Sequence, residues 1–89
     1  MREIIVETYR PTGENSGSKL RVRPLPGQWA DTSLKVECSK AMREKYPVGT
    51  KFKMNAKIID REGTPLLYSH YNAGYDVVSD EEAKTLTSK

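Results

Sequence analysis

The side chains able to do chemistry in this chain are few and unevenly placed. Lys51, Lys53 and Lys57 fall at odd-numbered positions of GTKFKMNAKIID (Gly49–Asp60), and Phe52, Met54, Ala56 and Ile58 fill the positions between. On an extended strand such residues share one face, with alternate ones about 6–7 Å apart, near the phosphate spacing of a stretched nucleic-acid strand. Arg21 and Arg23 have the same outward geometry in KLRVRP (Lys19–Pro24), where Leu20 and Val22 point the other way. If the two strands are neighbours, five cations share one surface suited to a polyanion. The plainer reading is that these cations keep a wet strand face soluble and discourage edge pairing.

Aromatic side chains add a second theme. LYSHYNAGYDVV (Leu67–Val78) holds three of the five tyrosines and the single histidine. Single-stranded nucleic acid is held by aromatic platforms beside a positive groove, which makes Tyr68, Tyr71 and Trp29 candidates alongside the cations. Alternation puts Tyr68 and Tyr71 on opposite faces, so one of them points away from the core unless the strand bends at Asn72. The same rings would suit a protein interface, where tyrosine is enriched. They would equally plug the ends of a small barrel that its aliphatic residues cannot fill.

Other chemistry finds little support. His70 lacks a recognisable nucleophile or orienting carboxylate around it, and Cys38 lies on the apolar side of LKVEC (Leu34–Cys38), where a small buried residue is the usual role. One cysteine and one histidine cannot furnish a structural zinc site or an internal disulfide. No calcium-loop pattern, GxGxxG or P-loop is present. Neither a cofactor nor a metal is expected, and the chain reads as a binder rather than an enzyme.

Strands and turns must position these groups. EIIVETYR (Glu3–Arg10) is β-branched and aromatic, as a strand requires, with Ile4, Val6 and Thr8 on one face and Ile5, Glu7 and Tyr9 on the other. PTGENSGS (Pro11–Ser18) is a loop of turn formers. Pro24, Pro26 and Gly27 stop the second strand and swing the chain around a corner, with Trp29 plugging the gap. LKVEC is a third strand. SKAMREKYP then switches to helical spacing, with Ser39 as N-cap and Cys38, Met42 and Tyr46 four apart, until Pro47 ends it. After the lysine strand, REG (Arg61–Gly63) predicts a three-residue hairpin link with a bulge. TPLLYSHY returns antiparallel, NAG turns again, and YDVV is a last strand. SDEEAKTL carries Ser79 as N-cap and Glu82 at the third helical position, a capping box for a short terminal helix that should fray over residues 79–89.

Eighty-nine residues suffice for one domain. The sum is a mainly β protein: a small, partly open antiparallel barrel, SH3-like or OB-like, of about five to six strands with one or two short helices, with an open antiparallel sheet carrying one helix across a face as the alternative. The apolar run near the N-terminus is too short for a signal or membrane span, so a cytoplasmic setting is expected. Charge is blocked along the chain. Ten Lys or Arg face three acids between Lys19 and Lys57, whereas the flanks carry −1 and −3. Expected partners are nucleic acid, single-stranded in preference, or alternatively another protein, a second copy included, through an exposed strand edge or a Tyr/Trp patch. Neither a membrane nor a metal is expected.

Overall fold

The structure is a computed structural model and describes residues 2–10, 20–38, 40–70 and 74–87. The expected loop at Pro11–Ser18, the Ser39 cap, Tyr71 and the proposed bend at Asn72 lie outside the described residues. The elements run β1 (Arg2–Tyr9), β2 (Arg21–Pro24), β3 (Val36–Glu37), α1 (Lys40–Lys45), β4 (Lys51–Arg61), β5 (Thr64–Tyr68), β6 (Tyr75–Val78) and α2 (Asp80–Thr87).

The long strand β4 organises the molecule because it has two sets of partners. Its first half pairs antiparallel with β1 over residues 51–56 and with β6 over residues 51–54. Its second half, Lys57–Arg61, pairs with β5 instead. The sheet path is β2-β1-β4-β5-β3, with β6 joined to β4 off that path. It is mainly β and has six strands, but the sheet is mixed rather than wholly antiparallel. β3 runs parallel to β5, through Val36↔Leu67 and Glu37↔Tyr68. The chain leaves β3 through α1 and the whole of β4 before β5 begins, and a crossover of that length permits parallel pairing. The sheet does not close: β2 and β3 come within 8 Å, Cα to Cα, with no ladder between them.

Alternation builds the main core on one face. Ile4 and Val6 of β1 meet Met54 and Phe52 of β4, joined by Val22, Ala56 and Leu67, and Met42 of α1 closes over them. Cys38 and Tyr46, just before and just after α1, pack on the same cluster, which accounts for their spacing of four around Met42. Phe52, Tyr46 and Tyr75 form an edge-to-face triad with centroids 5.4–6.2 Å apart. Trp29 is half-buried against this core, and its Nε1 donates to the Glu3 carbonyl at 3.0 Å.

A second, smaller apolar cluster lies on the opposite face, where Ile5, Leu25 and Val78 receive Ala83 of α2. β1 is therefore buried on both sides, and Ile4, Ile5 and Val6 are all in the interior. Ser79 Oγ accepts from the Glu82 amide at 3.1 Å, the N-cap bond expected from the sequence. The C-terminal end of α2 sits over Gly27, where an added Cβ would meet the Thr87 carbonyl at 3.2 Å.

Three local details depart from the expected pattern. Ile58 is half exposed rather than inward, because β4 has by then left β1 and β6 and runs past the core. The hairpin link holds two residues rather than three, since Arg61 already pairs with Thr64. Glu62 (φ 52°) and Gly63 (φ 82°) both take positive φ, the geometry of a type I′ turn. The third strand shrinks from five residues to Val36–Glu37, with Leu67 and Ser69 donating to the carbonyls of Lys35 and Glu37 at 2.8 Å.

Candidate functional site

Residues paired directly across a sheet present side chains on the same face, so the register decides whether the cations converge. Tyr9↔Arg21 and Glu7↔Arg23 join β1 to β2, Glu7↔Lys51 and Ile5↔Lys53 join β1 to β4, and Lys57↔Tyr68 joins β4 to β5. Arg21, Arg23, Lys51, Lys53, Lys57 and Tyr68 all lie on the face opposite the main core.

Acidic residues share that face and divide it. Glu7, between the two basic strands, accepts from Arg23 Nε at 3.0 Å and lies 3.7 Å from Lys51 Nζ. Lys51 also donates to Asp80 of α2 at 2.9 Å, and this hydrogen bond, outweighing desolvation, raises the lysine above its ordinary pKa. Arg23 stacks 4.5 Å over the Tyr9 ring. The margin formed by β2, β1 and the start of β4 thus holds a paired network of Arg23, Glu7, Lys51 and Asp80, and Arg21 is not free either.

The other end of the face is different. Lys53 and Lys57 form no ion pair with any described residue, although Asp76 lies across from Lys53 on β6. Four residues of strand put about 13 Å between them, with the polar Asn55 midway. Tyr68 is half-buried opposite Lys57, and the exposed His70 packs edge-to-face on it at 6.5 Å. Beyond Tyr68 on β3 stands Glu37, which Arg61 Nη1 engages at 2.6 Å. Beside Lys53, an open groove of about 390 Å³ is lined by Ser79, Glu81, Glu82, Thr85 and Leu86.

Trp29 stands apart from this group. It packs on the main-core side, with the Arg2 guanidinium 4.8 Å over its ring, and so does not join the cation face. Tyr71 is outside the described residues. Two side chains on the face carried a readable signal: Tyr9 and Glu7 share the parity of Ile5 on β1, so a neighbouring β1 puts both beside the arginines. The contribution of Asp80 had no such signal, since it depends on where α2 docks.

Burial pushes the Cys38 thiol up, and the nearby Arg43 charge offsets this only in part. That favours the unreactive protonated form. Among the described residues no three His, Cys, Asp or Glu side chains cluster as a metal site would require, and no helix is long and apolar enough to cross a membrane. Comparison with known protein families, curated proteins and solved structures finds no match.

Proposed function

We propose that this chain is a small binding module, not an enzyme, that holds single-stranded nucleic acid weakly and mainly by its backbone. Lys53 and Lys57 contact phosphates, and the Tyr68 ring, with His70 against it, offers a stacking platform for a base. The observation that carries the reading is the pairing register, which supports one shared face for the five cations; two of them, Lys53 and Lys57, have no ion-pair partner among the described residues, and Lys57 lies opposite Tyr68. In the finer fold reading the sheet is a partly open SH3-like or OB-like barrel. The two partner sets of β4 and the close approach of β2 to β3 support this.

The test is anisotropy of a labelled 15-nucleotide oligo-dT and of a duplex of equal length, over a range of salt. Two phosphate contacts give a log–log salt slope of about −1.4 for the single strand. Lys53→Glu with Lys57→Glu abolishes binding, and Tyr68→Ala weakens it roughly 5- to 150-fold, the equivalent of about 1–3 kcal/mol for one stacked base. Retention unchanged by the double reversal refutes the reading.

A second reading, a protein-interaction or assembly module, is favoured by one specific feature. β6 pairs with β4 alone among the described strands, and Val77 on it and Val48, just before β4, are each about half exposed. A melting temperature that rises with protein concentration, or a dimer in light scattering, supports that reading over the first.

A further inference from the structure

We infer that α2 is an acidic counter-element that occupies part of the cation face and limits how many phosphates it can take. The inference rests on the nucleic-acid reading and concerns regulation of that same surface.

Three observations carry it. Asp80, in the first turn of α2, holds Lys51 Nζ at 2.9 Å while its own side chain stays almost fully exposed. Glu81 and Glu82, the next two residues, line the groove that contains Lys53. The helix is fixed over this face by Ala83, buried against Ile5, Leu25 and Val78, so its carboxylates are held beside β4. A phosphate approaching Lys51 would enter the field of both Asp80 and Glu7, and like charges at that range repel. Lys57 lies farther along β4, opposite the uncharged Tyr68.

The Asp80–Lys51 pair, exposed on its carboxylate side only, is worth about 1 kcal/mol at most, so Lys51 can exchange it for a phosphate once the carboxylate is gone. Each freed cation adds one contact. For single strands that steepens the log–log salt slope by about 0.7, and at 50 mM salt it raises affinity about 5- to 10-fold.

The experiment compares wild type, Asp80→Asn/Glu81→Gln, and the same pair combined with Lys51→Gln, using the 15-nucleotide oligo-dT between 50 and 200 mM salt. Ser79 and Glu82 are left intact to keep the cap. The double variant should bind about 5- to 10-fold tighter at 50 mM, with the slope moving from about −1.4 to about −2.1, and the triple variant should return to the wild-type values. Asp80→Ser alone, with a side chain at home in a first helical turn, should shift both quantities in the same direction. If wild type binds but neither Asp80 variant changes affinity or slope, the counter-element falls and the binding reading stands. A gain that survives Lys51→Gln also overturns the inference. If no protein in the series binds, the nucleic-acid reading itself falls.

Discussion

Replacing Lys51 with glutamine separates two roles that three lysines on one strand face would otherwise appear to share. Lys51 Nζ lies 2.9 Å from Asp80 and 3.7 Å from Glu7, and only 19% of its side chain is exposed. Lys53 and Lys57 have no ion-pair partner among the described residues. Surface ion pairs contribute roughly 0.2–1 kcal/mol, and two carboxylates around a sheltered lysine put this one at the upper end, about 1 kcal/mol. In a domain of this size about 1 kcal/mol moves Tm by roughly 4–8 °C. Lys51→Gln should therefore lower Tm by that amount in low salt, and the deficit should shrink as salt screens the pair. Lys53→Gln and Lys57→Gln should stay within about 0.5 kcal/mol of wild type.

The dependence on pH has a defined sign. The Asp80 hydrogen bond raises Lys51 above its ordinary pKa. A cation raised on folding contributes stability that is complete below its unfolded pKa and lost as pH climbs through the folded one. The Tm gap between wild type and Lys51→Gln should stay level through neutral pH and close as pH climbs past the ordinary lysine range. Scanning calorimetry across that range measures it. A Lys53→Gln variant as unstable as Lys51→Gln, or a gap that persists in strong alkali, refutes the assignment.

Two further predictions concern the frame. Glu62 sits at φ 52° in the β4–β5 turn, where a side chain other than that of Gly, Asn or Asp is strained, so Glu62→Asn should raise stability by about 0.5–1 kcal/mol. A Tm that falls instead would argue against the two-residue turn. Gln28 acts as a local strand partner: its Oε1 accepts from the Ile5 amide at 2.7 Å, and its Nε2 donates to the carbonyls of Ile5 and Leu25 at 2.7 and 3.0 Å. Gln28→Met leaves the Ile5 amide without that acceptor and should cost about 1–3 kcal/mol in urea unfolding, and a loss under about 0.3 kcal/mol would show that water replaces the side chain.

Much of the frame was legible because a strand's period of two survives any choice of neighbour. Phe52, Met54 and Ala56 turn inward as their alternation requires, and Arg21 and Arg23 turn outward around the buried Val22. What periodicity lacks is identity of partner. Ile58 has the same parity as Phe52 and yet emerges into solvent, because β4 changes partners near Lys57. Ile5 has the parity of exposed Glu3 and yet is buried, because α2 folds back over β1. Parallel pairing of β3 with β5 had no local signal, since two residues of strand carry too little pattern to set direction.

The site follows the same logic with charge in place of apolarity. The basic block from Lys19 to Lys57 is bordered in sequence by acidic flanks, and folding inserts those flanks into it. From the N-terminal flank, β1 enters between β2 and β4 and brings Glu7. From the C-terminal flank, α2 docks over Ile5 of β1 and brings Asp80 to Lys51 at the start of β4. β5 also comes from that flank, but Thr64–Tyr68 contains no charged residue, so it lies beside Lys57 without neutralising it. A run of cations in sequence therefore stays unpaired only where the residues brought alongside do not reach it. Among the described residues that condition is met at Lys53 and Lys57, with the uncharged β5 beside the latter, and it fails at Lys51, which Glu7 and Asp80 both engage.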